Sequence, residues 1–348
     1  MEDVKELKTF INIWFIAISS MCYCYFIPAK ISYGVPRLLS LLPIIALFCI
    51  LPLSISTVHL VFPTFFFLVW LANFKLLLFA FNRGPLGLSS KQNLPIVTFI
   101  SIALFPINPK ENYNKLSTDA FPFLKQILFV IKVAILTKII VPIYQYYNLD
   151  NIHWSFMVIL YFTHMYIAFE LGFIFTALLV KFVHGFEFEI DPHFNEPYLA
   201  TSVQDFWGHR WNLMTSCILR AMVYNPVRSI CTPTLGKLRG QMLAIFCTFV
   251  VSGLMHELMY FYMIRVPPTW EVTWFFVLHG AWTACEVAVK KAFNGRFRLH
   301  RAVSWPLTLV FLIVTGWMFF EQPIKNSVDV KIKNETLFMA KYAFKIHL

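Results

Sequence analysis

A histidine in the middle of a long apolar run is the first residue that could do chemistry. His256 lies in VVSGLMHELMYFY (residues 250–262), with Ser252 one helical turn before it and Tyr260 one turn after it. Ionisable side chains inside membrane-length apolar segments are energetically costly and usually face a cavity or a partner. An imidazole placed there can accept and return a proton near neutral pH, as a general base does. The spacing alone is also typical of a buried histidine that serves only the fold.

The spacing of the remaining residues excludes several metal and hydrolase sites. The zinc-protease pattern HExxH fails because position 260 is tyrosine. The ten histidines are nowhere closer than nine positions apart, at His184 and His193, which excludes clustered histidine boxes. A Ser252–His256 dyad has no evident third member, and no G-x-S-x-G elbow or glycine-rich phosphate loop occurs. We therefore predict no metal site. His279 and Glu286 lie two turns apart on one helix face, and we expect them to pair across the helix bundle.

A second group of polar residues lies in the segment 184–237, which we predict to be a cytosolic loop. Its first part is acidic, and its second part, from Phe206 to Lys237, is basic and aromatic. Asp205 is positioned to cap a helix that Pro226 would end. Two stripes at helical spacing predict an amphipathic helix at the membrane surface: the apolar Trp207, Trp211, Met214, Ile218 and Met222, and the polar His209, Asn212, Ser216 and Arg220.

The elements that position these residues must lie in a membrane. Of 348 residues, 58% are hydrophobic and only 14% are charged, against about 45–50% and 25% in globular chains. The seven cysteines form no C-x-x-C pair, so we read them as free thiols. We predict one all-α polytopic membrane domain over 1–348, with eight or nine transmembrane helices and the cytosolic amphipathic helix. The candidate spans are 10–27, 38–55, 58–81, 94–107, 121–147, 152–183, 238–264, 270–289 and 302–320. The fourth has only 14 residues, so a re-entrant segment is the alternative there.

Charge sets the expected orientation and excludes nucleic acid as a partner. The net charge of +11 arises from basic residues that lie mostly between apolar segments, as the cytoplasmic excess of Lys and Arg requires. The loop 290–301 has five basic residues and no acidic one, so we expect it in the cytosol. Counting back two spans places 184–237 on the same side. The N-terminal apolar run has no cleavage site, and we read it as the first transmembrane helix.

Several blocks resemble the plant wax synthases of the membrane-bound O-acyltransferase superfamily. The longest is PHFNEPYLATSVQDFWGHRWN at 192–212, followed by VSGLMHEL at 251–258. Shorter similar blocks are WLANFKLLLFAF at 70–81, PTWEVT at 268–273 and FFVLHG at 275–280. One departure is His209, where the family pattern FWGRRWN has arginine.

The resemblance implies transfer of an acyl group from acyl-CoA to a lipid hydroxyl without a bound cofactor. The family's catalytic histidine corresponds to His256, and its partner asparagine to Asn212. Acyl-CoA, a lipid alcohol and membrane lipids are the implied partners, with no obligatory protein partner. We assign CoA binding to Arg210, Arg220 and Arg228, and substrate binding to Trp207, Trp211 and Glu257.

The acceptor and the class of function remain open at this stage. A long-chain fatty alcohol, giving a wax ester, is the first expectation. Acylation of a sterol or acetylation of diacylglycerol would use the same mechanism. A lipid transporter is the alternative from another class, but the paired broken helices of such folds are not evident. A non-catalytic lipid binder would need a damaged site, whereas His256 and Asn212 are both present. The resemblance places the protein in the endoplasmic reticulum membrane.

Overall fold

The chain is a bundle of helices in the computed structural model, which describes residues 2–89, 94–107, 122–147, 151–185, 192–293 and 299–343. Among these residues no β-strand occurs, so the predicted all-α class is confirmed. The helices are α1 Glu2–Phe26, α2 Val35–Ile50, α3 Val58–Thr64, α4 Asn73–Ala80, α5 Gly84–Ser89, α6 Ile96–Leu104, α7 Pro122–Ile135, α8 Val141–Tyr146, α9 Trp154–His184, α10 Val203–Asp205, α11 Leu213–Leu219, α12 Asn225–Ile264, α13 Glu271–Ala292, α14 Arg301–Lys325 and α15 Val328–Ala343.

Eight helical stretches in the described ranges are long and apolar enough to cross a membrane, which confirms a polytopic membrane protein. Short π-helical turns join α3 to α4 and α7 to α8, so each of these pairs forms one continuous stretch. Position 121, where we predicted one span to begin, lies outside the described residues. The spanning stretches are Lys5–Lys30, Val35–Ser54, Val58–Ala80, Phe129–Tyr146, Trp154–His184, Leu213–Ile264, Glu271–Ala292 and Arg301–Lys325.

The predicted span at 94–107 is a short buried helix and does not cross. Its helix α6 has nine residues, too few for a hydrocarbon core about 30 Å thick. The fully buried Lys75 donates hydrogen bonds to the carbonyls of Ile102 and Phe105, each at 2.6 Å. An ammonium group therefore satisfies carbonyls that the end of α6 leaves inside the membrane.

The stretch Val58–Ala80 is the central helix of the bundle. All residues of its π-helical part, Phe65–Ala72, are buried. Carboxylates from two other helices meet the N-terminus of this stretch. Glu6 of α1 accepts from the backbone N–H groups of Ser56 and Thr57, at 3.1 and 2.9 Å. Glu335 of α15 accepts from those of Val58 and His59, at 2.9 and 3.0 Å. Negative charge at a helix N-terminus is favourable because unpaired N–H groups point outward there.

The predicted loop 184–237 is largely helical where it is described. Residues 186–191 lie outside the described ranges. The predicted helix end at Pro226 is wrong: the π-helical turn Arg220–Tyr224 joins α11 to α12, and Pro226 lies in the first turn of α12, where proline is tolerated. The break comes at Gly236, whose φ of +79° favours glycine. The two legs on either side pack together, since a Cβ on Gly240 would lie only 3.1 Å from the Cα of Thr232.

The structure also divides the predicted amphipathic helix at Trp211 and Asn212. Trp211 is extended and Asn212 has φ of +42°, so α11 begins only at Leu213. Asparagine is one of few residues that adopt this left-handed conformation readily. The preceding turns begin at Ser202, whose hydroxyl accepts from the Asp205 N–H at 3.1 Å. The sequence did not predict this break because the helical spacing of apolar and polar residues continues on both sides of it.

Candidate active site

His256 lies on α12 in contact with three aromatic rings, of which Phe319 stands edge-on with ring centroids 5.6 Å apart. Phe276 of α13 stacks on the imidazole with ring centroids 4.3 Å apart, and Trp70 stands perpendicular at 5.0 Å. Its Nδ1 is 2.7 Å from the carbonyl oxygen of Ser252. A carbonyl only accepts hydrogen bonds, so Nδ1 carries the proton and Nε2 keeps its lone pair. The histidine is thus oriented as a base acting through Nε2.

Glycines at the contact between α12 and α13 bring these rings together. A Cβ on Gly253 would lie 3.1 Å from the Cα of Thr273, and one on Gly280 would lie 2.7 Å from the Cβ of Phe249. Each helix therefore contributes one glycine that lets the other approach closely. This approach places Phe276 directly over His256.

Two cavities approach His256 from different directions. A cavity of about 470 Å³, which we call the polar cavity, extends from His256 toward the start of α12. Its polar lining residues include Gln204, Asn212, Arg220, Arg228, Gln241 and Thr248. An apolar cavity of about 310 Å³ extends toward the end of α12, lined largely by Phe62, Phe66, Phe169, Phe173, Met259 and Met263. The apolar cavity reaches a few polar groups at its far end: His59, His164 and Asp329.

A narrow space of about 60 Å³, which we call the junction, lies between the two cavities and shares lining residues with both. It shares Phe66, Phe169 and Met259 with the apolar cavity. With the polar cavity it shares Trp70, Trp207, Trp211, Asn212, His256 and Phe276. The junction therefore adjoins a cavity with arginine side chains on one side and an apolar chamber on the other, and His256 and Asn212 both line it.

Asn212 has its side chain oriented by the turn that it forms. Its Oδ1 accepts from the backbone N–H of Thr215 at 3.2 Å and so caps α11. Among the described residues its amide NH₂ has no hydrogen-bond partner. The two donors of that amide are thus available at the junction.

The other residues that we assigned to the site differ in where they lie. Arg220 and Arg228 line the polar cavity, and Trp207 and Trp211 line both that cavity and the junction. Arg210 lines none of the three cavities. Its Nε instead donates to Asp205 Oδ2 at 2.7 Å, and its Nη1 donates to the carbonyls of Asn195 and Glu196 at 3.2 Å each.

Glu257 also lies away from the three cavities. It is 3% exposed and accepts from the backbone N–H of Thr273 at 3.1 Å, which ties α12 to the first turn of α13. His279 and Glu286 do not pair with each other, contrary to our expectation. His279 Nδ1 accepts from the indole N–H of Trp207 at 2.9 Å, and Glu286 accepts from the backbone N–H of Gln204 at 2.7 Å.

Trp70 and Phe276, two of the three rings in contact with His256, were not among the predicted site residues. Both belong to blocks that we noted as similar to wax synthases, at 70–81 and 275–280. The similarity was therefore a usable signal. Periodicity was not, because an aromatic residue on a buried helix face is ordinary core packing.

A histidine at the junction of an arginine-bearing cavity and an apolar chamber is the arrangement expected of one class of protein: a membrane enzyme that joins a polar-headed substrate to a lipid. Residues 190–278 match the membrane bound O-acyl transferase family. The chain is 46% identical to a long-chain-alcohol O-fatty-acyltransferase of Simmondsia chinensis, covering 99% of this chain and 98% of that protein. It is 44% identical to a probable long-chain-alcohol O-fatty-acyltransferase of Arabidopsis thaliana, covering 97% and 95%. An acyl-CoA–sterol O-acyltransferase of the same plant is 40% identical, covering 98% and 97%.

The chain therefore belongs to the wax synthase family of membrane-bound O-acyltransferases.

Proposed function

We propose that this protein transfers a fatty acyl group from acyl-CoA to a long-chain fatty alcohol, forming a wax ester and free CoA. The observation that carries the proposal is the position of His256 and Asn212 where the polar and apolar cavities meet. Relatives at 46% and 44% identity over nearly the whole chain are named for this reaction. We further propose that the reaction takes place in the endoplasmic reticulum membrane.

The oriented imidazole suits one transfer step without an acyl-enzyme. Nε2 of His256 takes the hydroxyl proton as the alcohol oxygen attacks the thioester carbonyl carbon. The new C–O bond forms, the C–S bond breaks, and the proton passes from Nε2 to the departing CoA sulfur. Because a thioester is already activated, a base and two well-oriented substrates are sufficient. The amide NH₂ of Asn212 would donate to the oxygen that becomes negative during attack.

The cavities suggest where each substrate binds. Arg220 and Arg228 would pair with the phosphates of CoA in the polar cavity, since guanidinium groups bind phosphate through two parallel hydrogen bonds. The alcohol chain would occupy the apolar cavity, with its hydroxyl at the junction. Arg210 and Glu257 are better explained as residues that hold the loop and the α12–α13 contact.

The test uses microsomes from a host that lacks neutral-lipid acyltransferases. Wild type, His256→Ala and the control His153→Ala are expressed there, the control removing an exposed histidine at the start of α9. Labelled acyl-CoAs are supplied with fatty alcohol, sterol or diacylglycerol, and the lipid products are resolved. We expect wax ester from wild type and control, and a loss of about 10²- to 10⁴-fold in His256→Ala at equal protein level.

The other products separate the remaining candidates. If sterol ester is the main product, the acceptor is a sterol, as the name of the relative at 40% identity suggests. Acetylated diacylglycerol would keep the chemistry and change both substrates. No ester from any pair by well-expressed wild type would contradict an acyltransferase and favour a lipid transporter or binder.

A further inference from the structure

His279 is the most completely enclosed histidine near the junction. It is 0% exposed and lies on α13, facing both α14 and the 202–212 segment. Its Nδ1 is 2.9 Å from the Trp207 indole nitrogen, and its Nε2 is 2.9 Å from Thr315 Oγ1. The hydroxyl of Thr315 is in turn 2.7 Å from the carbonyl oxygen of Phe311.

The partners dictate the direction of each hydrogen bond. An indole nitrogen only donates, so Nδ1 of His279 accepts. Nε2 therefore carries the proton and donates to Thr315, whose hydroxyl donates to the Phe311 carbonyl. This chain fixes the imidazole in one tautomer and one orientation. It also gives the Trp207 indole a partner inside the membrane, where an unpaired N–H group is costly.

Trp207 is the point through which His279 reaches the junction. Its ring lines both the polar cavity and the junction and lies 5.6 Å from Phe276, the ring stacked on His256. The Trp207 carbonyl accepts from Ser216 Oγ at 3.1 Å, which ties it to α11, the helix that Asn212 caps.

We propose that His279 is a positioning residue for acyl transfer. By accepting from the Trp207 indole, it holds that ring in the wall that the polar cavity shares with the junction, so that thioester and hydroxyl meet at His256 with water excluded. This inference rests on the proposed function. An apolar residue at 279 could fill the same volume, but it would leave the Trp207 N–H without an acceptor.

Replacing His279 by asparagine or glutamine tests its two hydrogen bonds one at a time. His279→Asn places an amide oxygen close to the Nδ1 position and keeps an acceptor for Trp207. His279→Gln extends the amide toward the Nε2 position and Thr315, leaving the indole unpaired. Trp207→Phe keeps one aromatic ring but removes the N–H donor together with part of the indole's volume, so it tests the donor and the packing of the ring together.

The experiment measures ester formation and CoA release together, per mole of folded protein, with long-chain acyl-CoA and fatty alcohol. We expect about tenfold lower kcat/KM for ester in His279→Gln and Trp207→Phe, and a smaller loss in His279→Asn. The double variant Trp207→Phe/His279→Gln should be no worse than either single change. CoA release per ester formed should rise in the damaged variants, because water reaches the thioester.

Two results would overturn the inference while wild type still makes ester. One is equal loss in the Asn and Gln variants with an unchanged ratio of CoA to ester, as a purely structural role predicts. The other is additive loss in the double variant, which would show that the two residues act separately. Absence of ester from wild type would contradict the proposed function itself.

Discussion

At the scale of single residues, the Asn212 side chain has a structural role and, in the function we propose, a chemical one as well. Its oxygen caps α11 through the Thr215 N–H, and its NH₂ faces no hydrogen-bond partner among the described residues. Only a residue tolerant of φ near +42° can occupy this position without strain. The two roles can therefore be separated by a side chain that retains the oxygen but lacks the NH₂.

The substitution Asn212→Asp removes the NH₂ donor and keeps the oxygen that caps α11. Aspartate tolerates the left-handed conformation and still accepts from Thr215, so we expect the protein to fold and to retain its thermal stability. It supplies no donor to the developing oxyanion, so ester formation should fall about 10²- to 10³-fold. Kinetics and a thermal melt in detergent measure the two effects. Asn212→Gly, which keeps the backbone but removes cap and donor, should lose both stability and activity. Normal activity in Asn212→Asp would contradict the assigned role.

At the scale of helices, the contact between α12 and α13 depends on two glycines. We expect Gly280→Ala to lower the free energy of unfolding by about 1–3 kcal/mol, because its new Cβ would lie 2.7 Å from that of Phe249. Gly208→Ala is the matched control, since a Cβ there meets nothing within 4 Å. Thermal melts of the two variants measure the difference. Equal melting temperatures would show that the helices separate easily, and His256 would then not depend on this packing.

The N-terminus of α3 gives a pH-dependent prediction. Burial tends to raise the pKa of Glu335, but hydrogen bonds from His59 and Val58 outweigh it and lower the pKa below its usual value. A lowered carboxyl pKa stabilises the fold above the unfolded value of about 4.3, and the effect is lost as pH falls through the folded pKa.

Glu335→Gln should therefore destabilise the protein by about 1–2 kcal/mol near pH 7. The difference in the free energy of unfolding between this variant and wild type should disappear as the pH falls below about 4. Thermal melts across this pH range test the prediction, with Glu321→Gln as a control that leaves α3 untouched. If the difference in stability does not change with pH, the shape of the Glu335 side chain and not its charge stabilises the start of α3.

At the scale of the whole molecule, the sequence predicted which segments form membrane helices better than it predicted where those helices break and which residues meet. Apolar runs identified the membrane helices, and the similar motifs pointed to His256 and Asn212, which the structure brings together at the junction. The turn at Gly236 and the break at Asn212 escaped prediction because helical spacing continues across both. Residues far apart in the chain, such as Trp207 and His279, meet only through tertiary packing, which a linear pattern does not contain. The hydrogen bonds of Glu257 and Glu286 escaped prediction for the same reason.

At the scale of the whole molecule, the function we propose also predicts a limit on substrate length. Together with the junction, the apolar cavity extends along α12 from His256 to Met263, seven residues, or about 10 Å of helix at 1.5 Å per residue. Gly172 of α9 lines it, and a Cβ there would meet nothing within 4 Å. A larger side chain at 172 should therefore enter the cavity without displacing its neighbours.

We expect Gly172→Leu to shorten the range of alcohols accepted. The ratio of kcat/KM for long over short alcohols should fall about tenfold or more, because methylene groups that no longer fit lose their apolar contacts. Ala177→Leu adds a similar side chain to the same helix outside the cavity lining, and its alcohol profile should match wild type. Each variant is assayed across an alcohol series at fixed acyl-CoA and across an acyl-CoA series at fixed alcohol. If the acyl-CoA profile shortens instead, the acyl chain occupies the apolar cavity and our placement of the two substrates is reversed.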